Sequence, residues 1–372
     1  MTQATRADYD ARWMAAALRF GRRGLGLTAP NPSVAALVVK DGVLVGRGVT
    51  QPGGRPHAEQ VALSEAGGAA RGATIYVTLE PCSHHGKTPP CAEAIVAAGV
   101  ARVVAALADP DPRVAGRGFA MLRAAGIAVE VGVGAQQARR DHRGHILRVT
   151  LGRPMVTLKL AQTADGYAAG DEHDPRLAIT GESANLAVQV MRSLHEAIMV
   201  GIGTAREDDP LLTVRLPGVN ARPLRVVIDT RLELPLASRL AATAHEFPTL
   251  IVTTEVAPLE RVAALAVAGA EIARVATDVA GSVDLGATLR LLAARGVTRV
   301  FSEGGPRVAA RLVAAGLADE VALFTARKPL GRSGRPALDA ATQEALADPA
   351  RYREEDGAAY GDDRLRRWER VE

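Results

Sequence analysis

Aromatic side chains are scarce in this chain: two tryptophans, five tyrosines and five phenylalanines make up 3% of 372 residues. Its cores must therefore be built from Ala, Val, Leu and Ile. That suits α/β architecture, where buried parallel strands read as aliphatic runs. The scarcity also argues against a protein that grips a flipped base, which needs a basic or aromatic platform. Lys and Arg number 45 against 41 Asp and Glu, and the excess is spread rather than clustered. No nucleic-acid partner is expected; an enzyme acting on anionic small molecules is. Only two cysteines are present, too few for an oxidised, disulfide-built scaffold. No stretch approaches the ~20 apolar residues that span a bilayer, so no membrane association is expected. Asp8 and Asp10 stand where a signal peptide would be basic, and a cytoplasmic location is expected.

Apolar residues make up 48% of the chain, enough for two ordinary cores, and the length favours two domains. A helix is expected over 10–23, with Trp13, Ala17 and Phe20 at helical spacing. Strands at 35–39 and 43–48 flank Asp41-Gly42, a strong hairpin signal. A helix following His57, strands over 74–79, 101–108 and 127–133, and a helix over 116–125 complete a mixed α/β domain at 1–150. Residues 135–153 are basic and read as a helical connector. The second domain, 151–372, is also α/β. Its strands are expected at 155–161, 195–201, 224–230, 249–254, 271–276, 298–304 and 319–326.

The chemistry concentrates in His57-Ala58-Glu59, Pro81-Cys82 and Cys91. A catalytic zinc site needs three protein ligands and an open position for water. His57, Cys82 and Cys91 supply a His/Cys/Cys set. Glu59, two residues after the histidine, can address the same pocket from the first turn of a helix and move protons. Cys82 follows a strand where a helix is expected to begin, and a helix N-terminus favours thiolate. The signature of zinc deaminases is H-x-E with P-C-x-x-C; here the second cysteine comes later, which inserts a loop at the mouth of the site. A structural zinc with His84 or His85 as fourth ligand remains open from these residues, although it leaves Glu59 without a task. In the second domain, VGIGT (200–204) and SEGGPRVAARL (302–312) are glycine-rich turns from strand to helix, where backbone N–H groups can cradle a phosphate. Neither is the G-x-G-x-x-G dinucleotide fingerprint.

PNPSV (30–34), KDGVLVGRG (40–48), RPHAEQVAL (55–63), TLEPCSHHGKTPPC (78–91) and DPDPRVAGRG (109–118) resemble the deaminase half of the bifunctional riboflavin-biosynthesis deaminase–reductases. LKLAQTADG (158–166), AITG (178–181), VGIGTAREDDPLLTVR (200–215), RVVIDT (225–230) and SEGGPRVAARL (302–312) resemble the reductase half. The resemblance implies a cytidine-deaminase-like three-layer domain followed by a dihydrofolate-reductase-like domain. It implies zinc and NADPH as cofactors and a phosphorylated pyrimidine as substrate. It implies deamination of 2,5-diamino-6-(5-phosphoribosylamino)pyrimidin-4(3H)-one, then reduction of the ribosyl to a ribityl side chain.

Carried over by motif, Asn31 holds the pyrimidine, and His84, His85 and Lys87 line the pocket or meet the ribose phosphate. Ala161, Ala178, Thr204, Asp208, Thr230, Gly305, Pro306, Arg307, Val308, Ala309, Ala310 and Arg311 meet NADPH. Arg176, Arg192, Leu212, Arg215 and Glu303 meet the substrate of the second step. Lys159 and Asp208 are candidates for its acid. Two positions depart from the family: Ala178 stands where an aromatic is common, and Arg176 where a small polar residue is. They keep open a monofunctional deaminase with a degenerate second domain. A homodimer is expected.

Overall fold

The first helix starts where the chain can satisfy its own amides. Asp8 N donates to Thr5 Oγ1 (3.2 Å) and Thr5 N donates to the Asp8 carboxylate (3.0 Å), a capping box that opens α1 (Arg6–Gly21). The computed structural model describes residues 5–84, 89–112, 114–171, 174 and 177–371. The described chain divides into two compact units between Gly152 and Arg153. The buried stripe of α1 runs through Asp10, Met14, Ala17 and Leu18. Trp13 and Phe20, expected on that face, are only half-buried. Asp10 explains the offset: it accepts two hydrogen bonds from Arg102 (2.8 and 2.7 Å) and one from the Tyr76 hydroxyl (2.7 Å), which ties α1 to the sheet.

The first unit holds strands β1 (Ala35–Lys40), β2 (Val43–Val49), β3 (Thr74–Val77), β4 (Arg102–Ala105) and β5 (Ala128–Val131). Its later helices are α2 (Ala58–Ala66), α3 (Cys91–Ala97), α4 (Arg117–Ala124), α5 (Ala135–Asp141) and α6 (Arg143–Leu151). The sheet order is β2-β1-β3-β4-β5. The hairpin and the β1–β3 pair are antiparallel, and β3, β4 and β5 run parallel. Every residue of β1 from Ala35 to Val39 is buried, so both faces of the sheet are covered. The basic connector is two helices, broken at His142 and ended by Gly152 in the left-handed region.

Two glycines set the position of α2. A Cβ at Gly48 would lie 2.1 Å from the Ala58 carbonyl oxygen, and one at Gly46 would lie 2.3 Å from that of Ala62. The glycines of VGRGV therefore let α2 lie flush on β2, which holds its N-terminus, with His57 and Glu59, in one place.

The second unit contains β6 (Met155–Gln162), β7 (Tyr167–Ala169), β8 (Ala197–Gly201), β9 (Leu224–Ile228), β10 (Thr249–Thr253), β11 (Glu271–Arg274), β12 (Arg299–Ser302), β13 (Glu320–Thr325), β14 (Arg335–Pro336), β15 (Tyr352–Tyr360) and β16 (Asp363–Arg370). Its helices are α7 (Glu182–Ser193), α8 (Ile202–Asp208), α9 (Arg239–Ala242), α10 (Leu259–Val267), α11 (Leu285–Ala294), α12 (Gly305–Ala314) and α13 (Ala340–Ala347). The main sheet runs β11-β10-β9-β8-β12-β6-β13-β16-β15. Its first seven strands are parallel, and the β15–β16 hairpin closes one edge antiparallel. The carboxyl ends of β8 and β12 lie side by side next to β6, which runs on to Gln162; this is the place where open α/β sheets bind ligands.

Candidate functional sites

In the first unit His57 is the N-cap of α2 in extended conformation, and Glu59 lies in the first turn, 3% exposed. Cys91 is the first residue of α3. His57 Nδ1 lies 3.6 Å from Cys82 Sγ and 3.4 Å from Cys91 Sγ. All three donor atoms fall within 4.8 Å of one another. A tetrahedral zinc bonds nitrogen at about 2.0 Å and sulfur at about 2.3 Å, which separates those atoms by roughly 3.5 Å. The donor set therefore fits zinc in chemistry and in spacing. Among the described residues no fourth side chain joins the set, and His84 lies outside it. Asn31 Nδ2 donates to the Gly54 carbonyl (2.8 Å) and lies 3.4 Å from His57 Nε2, so Asn31 belongs to this corner. His85 and Lys87 lie outside the described residues.

The expected helix does not begin at Cys82. It begins at Cys91, after Pro89-Pro90, because proline fits the entry to a helix and not its interior. Cys82 instead sits in the preceding loop and takes its stabilisation from α3 across space: Cys91 N donates to Cys82 Sγ (3.3 Å). Hydrogen bonding from Cys91, then from His57, pulls Cys82 down to about 4 against the effect of burial. Cys91 is pushed up as the hydrogen-bond donor to Cys82 and by burial. His57 is raised, chiefly by its hydrogen bond to Cys82. Burial raises Glu59 to about 7, with the Cys82 charge adding to it and the neighbouring His57 acting in the opposite direction.

The second unit has a cavity of about 570 Å³ at the carboxyl ends of β6, β8 and β12. Lys159, Ala161, Ala178, Thr204, Asp208, Gly305 and Pro306 line it, as do Arg192, Leu212, Arg215 and Glu303. Thr230, Arg307, Val308, Ala309, Ala310 and Arg311 are not among the lining residues. Val308 and Ala309 lie on the face of α12 that enters the core with Leu312 and Val313. Only the start of that helix meets the cavity. Arg311 pairs with Asp278 (2.9 Å) and donates to the Val283 carbonyl. Thr230 accepts from Val283 N (3.3 Å) through its hydroxyl and from Thr253 and Thr254 through its carbonyl. Arg176 lies outside the described residues.

Arg192 and Glu303 form a two-pronged pair, Nε to Oε1 at 2.7 Å and Nη2 to Oε2 at 3.0 Å, and Arg192 Nη1 donates to the Thr213 carbonyl (3.1 Å). Burial alone would raise Glu303; the charges of Arg192, Lys159 and Arg215 outweigh it and hold the carboxyl below its ordinary value. Arg215 is lowered by burial and by repulsion from Arg192 and Arg239, and among the described residues its guanidinium makes one hydrogen bond, of 3.4 Å, to Thr213 Oγ1. Its backbone N–H donates to Gln189 Oε1 (2.9 Å). Gln189, Asn185 and the Arg335–Glu207 pair (2.9 Å) also line the cavity and escaped the sequence reading. Arg335 and Glu207 stand 128 positions apart, and no local pattern joins them.

Residues 154–363 match the family described as the RibD C-terminal domain, and residues 7–107 match the cytidine and deoxycytidylate deaminase zinc-binding region. The riboflavin biosynthesis protein RibD of Escherichia coli (strain K12) is 38% identical over 358 residues, covering 92% of this chain and 95% of that protein. The chain belongs to the RibD family. The RibD of Bacillus amyloliquefaciens is 40% identical over 326 residues, 88% of this chain and 86% of the relative. Among solved structures, Acinetobacter baumannii RibD (form 1) is 35% identical with a TM-score of 0.86, covering 98% of this chain and all of that one. A Thermotoga maritima structure is 30% identical with a TM-score of 0.84, covering 99% of this chain and 100% of that one. It is described as a diaminohydroxyphosphoribosylaminopyrimidine deaminase/5-amino-6-(5-phosphoribosylamino)uracil reductase.

The two units are thus the cytidine-deaminase-like and dihydrofolate-reductase-like halves of a RibD enzyme. The protein is a bifunctional enzyme of riboflavin biosynthesis, a zinc-dependent deaminase and an NADPH-dependent reductase. The RibD match across the second unit sets aside a lone deaminase. No helix among the described residues is long and apolar enough to cross a membrane.

Proposed function

We propose that residues 1–150 deaminate 2,5-diamino-6-(5-phosphoribosylamino)pyrimidin-4(3H)-one and that residues 151–372 reduce the ribosyl of the product to ribityl. The observation that carries the first role is a buried Glu59 beside three metal donors and no fourth among the described residues. His57, Cys82 and Cys91 would hold zinc, which when bound supplies the Lewis acidity that makes water a nucleophile near neutral pH. Glu59 accepts one proton of the attacking water and returns it to the ring nitrogen, then passes the water's second proton to the departing ammonia. Asn31, fixed by Gly54 beside His57, orients the pyrimidine. Lys87 meets the ribose phosphate.

In the second site NADPH supplies the hydride, and the protein positions the two carbons. The start of α12, at Gly305 and Pro306, together with Ala161, Ala178, Thr204 and Asp208, borders the cofactor. Arg215 anchors the substrate phosphate, because Arg192 is already committed to Glu303. Lys159 or Asp208 supplies the proton that accompanies ring opening. The enzyme works as a cytoplasmic homodimer.

An ammonia-release assay on the diaminopyrimidine, run with and without NADPH, tests both roles. Ammonia is expected without NADPH, and NADPH oxidation only after deamination. Release of ammonia that depends on NADPH, or no oxidation when the deaminated product is supplied, would overturn the division of labour.

A further inference from the structure

We infer that Glu80 is a positioning residue for the metal centre: it fastens the loop that carries Cys82 to the first turn of α4. The inference rests on the reading of Cys82 as a zinc ligand. Glu80 immediately precedes Pro81-Cys82 and is 4% exposed. Its carboxylate is held by four backbone N–H groups. Oε2 accepts from Asp109 (3.2 Å) and Gly116 (2.9 Å), and Oε1 accepts from Gly118 (3.0 Å) and Phe119 (3.4 Å). The last three of these residues open α4, whose N-cap is Gly116 and offers no side-chain acceptor. Glu80 therefore caps α4 from elsewhere in the chain, satisfying amides that the helix cannot satisfy itself.

A second contact is steric. A Cβ at Gly118 would lie 2.1 Å from the Pro81 carbonyl oxygen, so the start of α4 is flush against the peptide that leads into Cys82. Of the three donors, Cys82 most needs such a fastening. His57 caps α2 and Cys91 begins α3, whereas Cys82 lies in a loop. The hydrogen-bonded support of metal ligands typically changes metal affinity by about 10- to 100-fold.

The test uses the full chain with Glu80→Ala, Glu80→Gln, Gly118→Ala and Cys82→Ser. Zinc affinity is read by competition with a chromogenic chelator well below the unfolding temperature, with circular dichroism and NADPH oxidation as controls of folding. Glu80→Ala is expected to weaken zinc by about 10- to 100-fold. Glu80→Gln keeps one accepting oxygen and should lose less. Gly118→Ala should weaken zinc although no charge changes, and Cys82→Ser should lose most. Wild-type zinc affinity in folded Glu80→Ala and Gly118→Ala, even with a lower melting temperature, overturns the inference while a weakened Cys82→Ser leaves the ligand reading standing. Wild-type affinity in Cys82→Ser overturns the ligand reading itself. If Glu80→Ala does not fold, Glu80→Gln and Gly118→Ala decide the matter in the same way.

Discussion

The metal corner and the reductase cavity are built in opposite ways. At the metal corner three potential donors and a carboxyl come from two short segments: His57 and Glu59 at the start of α2, and Cys82 and Cys91, of which Cys91 begins α3 while Cys82 lies in the loop before it. In the cavity, Lys159, Arg192, Arg215 and Glu303 come from four distant segments, and their charges first answer one another. Only the remainder is available to a ligand. A motif that must hold a metal is therefore a set of atoms, whereas an anion site is a balance of charges, and the balance forms only after folding. It also follows that the two sites should fail separately.

The sharpest test of that separation is Glu59→Gln. Ammonia release should fall by roughly 10³-fold, within the span typical of a lost general acid–base, while zinc stays near one per chain. NADPH oxidation with the deaminated substrate should be unchanged; a parallel loss there breaks the comparison. Removing zinc with a chelator should likewise abolish deamination, spare NADPH oxidation, and be reversed by added zinc.

Within the cavity the comparison becomes one of two arginines. Arg192→Ala leaves the buried Glu303 carboxylate unpaired and should cost about 3 kcal/mol of stability, measured by urea unfolding. Arg215→Ala has no such buried partner to strand. It should leave the midpoint nearly unchanged and raise KM for the phosphorylated substrate by about tenfold, the scale of one charge-assisted hydrogen bond. Equal effects of the two variants on stability would remove the distinction between a committed and an available cation.

The smallest effect concerns acid. Burial, with the charge of Arg299, pushes His195 from its ordinary value near 6.5 down to about 3. The folded protein therefore binds fewer protons than the unfolded chain between those values. The stability this histidine contributes is present above pH 6.5 and is lost as pH falls toward 3, by about 1.4 kcal/mol one pH unit below the ordinary value. His195→Gln should flatten that part of a melting-temperature profile against pH, and an unchanged slope would refute the assignment.

Most strands were legible because their aliphatic runs are long and bounded by turns: AALVV, VLVGRG, MVTLKLA and TLIVTT all lie where expected. The closing hairpin was not. β15 and β16 read as YREEDGAAY and DRLRRWER, rich in charge, because β15 is the edge strand and the pair buries little more than Tyr352, Asp363, Leu365 and Trp368. Arg225 was equally hidden. In LRVVIDT it reads as an ordinary strand position, yet it is fully buried, pushed down to about 10 by that burial, and donates to the carbonyls of Leu240, Thr243 and Phe247. Partners that far apart in sequence leave no periodic trace.

By itself the sequence determined the chemistry of the first site. Metal binding and proton transfer need particular atoms, and His57, Cys82 and Cys91, with the proposed Glu59, offer them within recognisable spacing. It also determined that a second α/β unit follows, through the aliphatic runs of its parallel strands. Only the tertiary structure decided that the helix starts at Cys91 rather than Cys82, since prolines and an inserted loop move it. Only the tertiary structure decided that Arg192 is committed while Arg215 is available, and that α12 offers the cavity its first turn and buries its flank. These outcomes depend on which groups are brought within a few ångströms of one another, and that proximity exists only in the folded chain.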